Sequence, residues 1–115
     1  MRKAAADEGI ALDLVSAFRS VDHQATIIRR KREAGQNIAA ILAVSAAPGF
    51  SEHHTGRALD LTTPGCPPLE RHFEATDAFR WLEARAASFG FRLSYPEGNH
   101  HGIAYEPWHW YFQGP

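Results

Sequence analysis

Between residues 51 and 60 the chain reads Ser-Glu-His-His-Thr-Gly-Arg-Ala-Leu-Asp, and this segment constrains the fold more than any other. It puts two imidazoles and two carboxylates within ten residues, with Gly56 between His53 and Asp60. A glycine there permits a tight turn, which would bring His53 and Asp60 together from adjoining backbone. The residues that follow, Ala58-Leu59-Asp60-Leu61-Thr62, read as a strand with Ala58, Asp60 and Thr62 on one face. A second segment, Glu106-Pro107-Trp108-His109, places a glutamate three residues before another histidine. Pro107 argues against a helix interior, so the pair is expected where a loop enters a strand over 108–112. Imidazole nitrogens and a carboxylate oxygen are zinc ligands, and three of them leave a fourth position for water. On spacing alone the histidines fit either such a site or ordinary structural and surface positions.

The rest of the chain supplies a frame for these segments. Loose alternation over 10–16 suits a strand. Ser20 and Asp22 are cap candidates for a helix over 22–34 that Gly35 would end. Residues 37–44 are apolar without a clear period, and Pro48-Gly49 is a turn. Ala78, Trp81, Leu82, Arg85 and Phe89 mark a helix over about 75–89, with Thr76 as its cap and Gly90 just beyond. Phe91 to Tyr95 reads as a further strand. Helices and short strands out of βαβ order predict an α+β fold: a small, mostly antiparallel sheet with flanking helices.

The 115 residues allow one domain, taken as 1–115, and the net charge of -1 provides no field for holding a nucleic acid. Arg29, Arg30, Lys31 and Arg32 read as the solvated side of a helix. Cys66 is the only cysteine, so the fold does not rest on an internal disulfide. No stretch approaches the ~20 apolar residues of a membrane span. Met1-Arg2-Lys3 is followed by Asp7 and Glu8 rather than an apolar run, unlike a signal peptide. No coiled or repetitive face is visible, and a monomer is expected.

Several ordered motifs together resemble the D-alanyl-D-alanine carboxypeptidases of the VanY type and the related LD-carboxypeptidases, which share a metallopeptidase fold with lysostaphin-type enzymes and hedgehog domains. Ser51, His53, Gly56, Ala58 and Asp60 meet Ser-x-His-x-x-Gly-x-Ala-x-Asp. Glu106 and His109 meet Glu-x-x-His. Ser16, Arg19 and Ser20 meet Ser-x-x-Arg-Ser, with Gln24 following. Trp81-Leu82, Phe89-Gly90-Phe91 and Tyr95-Pro96 match as well, so the resemblance covers nearly the whole chain. It implies a hedgehog/DD-peptidase-like fold and a zinc ion (Zn2+) held by His53, Asp60 and His109. It implies removal of the C-terminal residue of peptidoglycan stem peptides, at a D-Ala-D-Ala or L,D bond, by a zinc-activated water. Glu106 would be the general base and Arg19 the oxyanion partner, while Ser51 and Gln24 would hold the terminal carboxylate. A cell-envelope or secreted setting would follow from the family. The alternatives are a phage-lysin-like endopeptidase and a zinc-binding interaction domain without catalysis. The family often carries arginine at the positions of Ser94 and Tyr111, which bears on substrate contacts rather than on the metal. Arg57 is a weaker candidate for the carboxylate. His54 is expected to point away from His53. Trp108 and Trp110 are expected to face away from His109. His23, His72, His100 and His101 read as surface groups.

Overall fold

The computed structural model describes residues 1–99 and 102–114. Its centre is a four-stranded antiparallel sheet in the order β1-β2-β4-β3, formed by β1 (Asp13–Ser16), β2 (Ala58–Thr62), β3 (Phe91–Leu93) and β4 (His109–Phe112). Four helices flank it: α1 (Arg2–Asp7), α2 (Val21–Glu33), α3 (Ile38–Val44) and α4 (Asp77–Arg85). Three 3₁₀ turns, Glu52–Thr55, Arg71–Ala75 and Ala86–Phe89, complete the chain order. This is the α+β arrangement expected, with central strands β2 and β4 drawn from the two histidine segments.

Each longer helix begins where its cap chemistry predicts. The Ser20 hydroxyl accepts the His23 N–H, Asn37 accepts the Ala40 N–H, and Thr76 accepts the Phe79 N–H. The Asn37 cap settles the ambiguous stretch 37–44 as a helix, although only Ile41 of it is buried. α4 stops at Arg85 and tightens into a 3₁₀ turn, so the helix expected to reach Phe89 is shorter and changes pitch. Gly90 ends that turn at φ +85°, and a Cβ there would lie 2.6 Å from the Gly114 carbonyl oxygen and 2.7 Å from the Phe112 ring. No other residue fits at that crossing.

The strand expected over 10–16 starts only at Asp13, because residues 8–10 close α1: the Ile10 N–H donates to the Ala5 carbonyl. Strand β3 likewise ends at Leu93 rather than Tyr95, and β4 begins at His109. α4 packs Ala78, Phe79, Trp81 and Leu82 against Leu61 and Trp110 of the central strands. Leu12, Phe73 and Cys66 close this core, and Phe79 meets Trp110 at 6.2 Å between ring centroids. Burying such side chains contributes roughly 1.5–3 kcal/mol each. The core thus covers one face of β2 and β4. Asp60 and His109 project from the opposite face, where α2 and the 45–51 segment leave a cleft. Among the described residues no helix is long and apolar enough to cross a membrane.

Candidate active site

β2 and β4 pair so that Asp60 stands directly opposite His109. Their side chains meet across the ladder, with Asp60 Oδ1 3.1 Å from His109 Nδ1. His53 arrives from the 3₁₀ turn before β2. Ser51 caps that turn by accepting the His53 N–H, and Gly56 closes it at φ +75°. The His53 ring sits edge-on to that of His109, 5.0 Å between centroids. All three side chains are buried, and each offers one donor atom such that all lie within 4.8 Å of one another.

Hydrogen bonds fix which atom of each ring faces the others. His53 Nδ1 lies 2.6 Å from the Ala17 carbonyl oxygen, which can only accept, so Nδ1 carries the proton. Its Nε2 faces Asp60 Oδ2 at 3.2 Å, and the third donor, His109 Nδ1, borders the same space. Two nitrogens and a carboxylate oxygen form a suitable set for a divalent transition metal. The second nitrogen of His109, Nε2, is bonded to Glu52 Oε1 at 2.9 Å. Each ring therefore turns one nitrogen to the donor cluster and the other to a protein oxygen, as metal-ligating histidines commonly do.

The charges respond to this packing. Burial pushes the Asp60 carboxyl up, but the hydrogen bonds from His109 and His53 outweigh it and hold the group at about 2. Burial opposes charge on His109 too, yet its bonds to Asp60 and Glu52 raise it to about 9. Glu106 behaves differently. Burial dominates there, and with the nearby Asp60 charge it outweighs attraction from His109 to push the carboxyl up to about 7. Glu106 Oε1 stands 3.7 Å from His109 Nδ1, beside the donor cluster. The Glu106 backbone N–H donates to the Tyr95 carbonyl, and the His109 N–H donates to the Glu106 carbonyl, so a tight turn rather than a helix sets the pair.

The loop after β1 carries Arg19. Its guanidinium donates to Gln24 Oε1 (2.9 Å) and to Ser16 Oγ (3.2 Å), and its Nη2 lies 3.9 Å from Asp60 Oδ2. Gln24 is 1% exposed, and its Nε2 donates to the Ala46 carbonyl at 2.6 Å. Both ends of its amide are thus engaged within the protein. Ser51 is buried on the cleft wall with its hydroxyl oxygen accepting from His53, leaving the hydroxyl proton available.

His54 does turn away from the donor cluster, although its backbone is a 3₁₀ turn rather than extended. Its Nδ1–H donates to the Arg19 carbonyl at 2.7 Å and its Nε2 accepts the Gly49 N–H at 3.1 Å, so it ties two cleft loops together. Trp110 faces the core as expected. Trp108 precedes the strand and is not bound by its alternation: it packs on the core and also lines the cleft. Arg57, His23 and His72 are exposed, and His100 and His101 lie outside the described residues.

Two residues take parts at the site that the sequence did not assign them. Glu52 bonds to His109 and accepts from Ser94 Oγ at 2.6 Å, with Arg92 Nη2 3.7 Å from its other oxygen. Its hydrogen bonds to His109 and Ser94 hold its carboxyl below the usual range despite burial. The Tyr95 ring lies tilted against that of His109, 4.8 Å between centroids, and burial raises its hydroxyl pKa. The only sequence signal for Glu52 is its place immediately before His53. The 57-residue separation from His109 hides the contact.

A small antiparallel sheet with a His/Asp/His donor set at its centre and a half-buried glutamate alongside defines a hedgehog/DD-peptidase-like metallopeptidase fold. The family described as VanY, D-alanyl-D-alanine carboxypeptidase, matches residues 1–115, and the chain belongs to it. The YodJ protein of Bacillus subtilis (strain 168) is 36% identical over 129 residues, covering 99% of this chain and 42% of YodJ. The LdcB LD-carboxypeptidase superposes with a TM-score of 0.86 at 34% identity, covering 97% of this chain and 53% of that one. The VanYB structure with D-alanine-D-alanine gives 0.80 at 28% identity, covering 98% and 65%. A variant of the VanY D,D-pentapeptidase from a VanB-type cassette, solved with Zn(II), gives 0.79 at 28%, covering 98% and 66%. The chain thus spans between two fifths and two thirds of the length of these relatives.

Proposed function

We propose that the protein is a zinc-dependent carboxypeptidase that removes the C-terminal residue of peptidoglycan stem peptides. The observation that carries this reading is the place of Glu106: its carboxyl stands 3.7 Å from His109 Nδ1, bordering the space that His53, Asp60 and His109 enclose. A carboxylate beside that space without being part of the donor set is placed to accept and return a proton.

His53 through Nε2, Asp60, and His109 through Nδ1 would hold zinc, whose chemistry is that of a Lewis acid that lowers the pKa of water and polarises a carbonyl. Glu106 accepts the proton of the attacking water and passes it to the leaving amine. Arg19, fixed by Gln24 and Ser16, donates to the oxyanion as it develops on the scissile carbonyl. Removing one such donor typically costs ~10²–10³ in rate. Ser51 turns its free hydroxyl proton toward the terminal carboxylate. Gln24, its amide already engaged, contributes mainly by holding Arg19 in place. Tyr95 and Trp108 wall the site and limit water.

The test is product analysis by mass spectrometry on a defined muropeptide mixture, in zinc-supplemented protein. Release of one residue from free-acid stem peptides, with amidated ends resisting, supports the reading. Equal cleavage of both at an internal bond assigns the endopeptidase instead. Stoichiometric zinc without any cleavage assigns the interaction domain.

A further inference from the structure

The geometry points to Lys31 as a second anion-binding position of the cleft, one that anchors a substrate carboxylate away from the metal donors; this rests on the peptidase reading above. In the basic run of α2, Arg29, Arg30 and Arg32 are exposed as a solvated helix side should be. Lys31 is not. It is half-buried and lines the cleft of about 450 Å³ that holds His53, Asp60, Glu106 and His109. Gln24, Ile27 and Lys31 follow one another at helical spacing, and all three line that cleft. At ~1.5 Å rise per residue, Lys31 stands roughly 10 Å along the helix axis from Gln24. α2 therefore carries the cleft away from Arg19 toward a second cation.

The partners of that cation matter. Lys31 Nζ donates to Ser45 Oγ at 2.6 Å. Among the described residues no carboxylate lies within ion-pair distance of it, whereas Arg71 pairs with two and Arg80, Arg85 and Arg92 each pair with one. An ammonium has three donors, and here one is spent on a neutral hydroxyl. The remaining walls nearby include Ile27, Val44 and Ile103, which offer no side-chain acceptor. A half-desolvated, unpaired cation beside apolar walls gains most from a carboxylate, since a charge-assisted bond is stronger than a neutral one. The carboxylates already in the cleft, Asp60 and Glu106, belong to the metal side. The complement must come with the ligand.

An extended peptide advances ~3.3–3.6 Å per residue, so roughly 10 Å separates groups about three residues apart. The terminal carboxylate lies only one residue from the scissile bond, at Ser51, so the carboxylate that meets Lys31 is an acidic side group on a residue farther along the peptide. A lysine at this place selects peptides that carry one, and it acts on binding rather than on the chemical step.

The experiment compares wild type, Lys31→Met and Lys31→Arg, all zinc-loaded, with short peptides ending in D-alanine. One set differs only in a free or amidated C-terminus, and another only in Glu or Gln three residues upstream. Steady-state kinetics and calorimetric binding to the zinc-loaded Glu106→Gln protein, with and without Lys31→Met, are read together. Lys31→Met should raise KM and weaken binding on the order of tenfold with kcat held, and Lys31→Arg should restore most of it. Loss confined to the Glu peptides supports the inference, and loss confined to free-acid ends places Lys31 at the terminal carboxylate and overturns the side-group assignment. KM and binding within twofold of wild type for every peptide overturn the inference. Absence of turnover in wild type sinks the peptidase reading instead, and the calorimetric comparison still decides for or against Lys31.

Discussion

Glu52 Oε1 lies 2.9 Å from Nε2 of His109, the ring nitrogen opposite the one that faces Asp60. A residue of the 3₁₀ turn before β2, 57 positions away in sequence, thereby dictates that His109 presents Nδ1 to the donor cluster. Carboxylate partners of this kind orient the ring and raise its basicity, and losing them typically costs 10–100-fold in metal affinity. Glu52→Ala should therefore weaken zinc binding on the order of 10–100-fold. Glu52→Gln should cost less, because its amide oxygen still accepts from Nε2–H. Ser94→Ala, which removes only a supporting bond to Glu52, should cost least. Chelator competition measures all three. Equal affinity for wild type and Glu52→Ala would show that the ring is held by its ring contacts and strand position alone.

Binding and catalysis should separate at the Glu106/His109 pair. Glu106→Gln keeps size and shape but removes the proton acceptor, so about one zinc should remain while turnover falls on the order of 10²-fold or more. His109→Ala removes a ligand, and zinc and activity should fall together. Zinc content and peptidase rate, measured on both variants, give the answer. A Glu106→Gln protein that loses its zinc makes Glu106 a ligand. One that keeps its turnover moves the base elsewhere.

The pH dependence of the metal-free protein follows from the same buried groups. His109 is raised from 6.5 to about 9 because its bonds to Asp60 and Glu52 outweigh the opposing effect of burial. A raised folded-state pKa contributes stability that is full below the unfolded value and lost as pH climbs through the folded one. That window runs from 6.5 to about 9 for His109, and from 4.5 to about 7 for Glu106. Both therefore act in one direction, and Tm of chelator-treated protein should fall between pH 5 and 9. Zinc competes with the His109 proton, so its affinity should rise over the upper part of that range. Calorimetric scans at pH 5, 7 and 9 would contradict this if Tm were flat or increased.

The local parts of this fold were legible because local chemistry forms them. Ser20 and Thr76 cap their helices through their own hydroxyls, and the strand 58–62 follows from its alternation. Ser16, Arg19 and Gln24 hydrogen-bond within eight residues of one another, so their spacing already encodes a unit. Glu52 against His109, Tyr95 against the same ring, and Lys31 beside Ser45 were not legible. Each depends on how segments cross in space, and no period in the chain reports that. α1 escaped for a different reason. It is six residues long with only Ala5 buried, too short to leave an amphipathic stripe. The helix expected to run to Phe89 failed at its end, where a 3₁₀ turn fits Gly90 under the Gly114 carbonyl.

The last prediction concerns how Arg19 is held. Gln24 spans the cleft wall: its oxygen accepts from Arg19 Nη1 and its nitrogen donates to the Ala46 carbonyl. Gln24→Leu keeps roughly the same volume but leaves the Ala46 carbonyl and one guanidinium donor without their partner. An unsatisfied buried polar group costs about 1–3 kcal/mol, so Tm should fall. If Gln24 acts on turnover through Arg19, kcat should fall as well, with zinc content unchanged. Arg19→Lys supplies the comparison. A lysine keeps the charge but cannot bond Gln24 and Ser16 in a fixed fork while approaching the scissile carbonyl. It should lose on the order of 10²-fold in kcat with little change in Tm. The double variant decides between the two explanations. If Gln24 works by positioning Arg19, adding Gln24→Leu to Arg19→Lys should lower kcat little further, because the geometry it protects is already gone. If the two losses multiply, Gln24 touches the substrate by its own amide, as its place in the motif first implied.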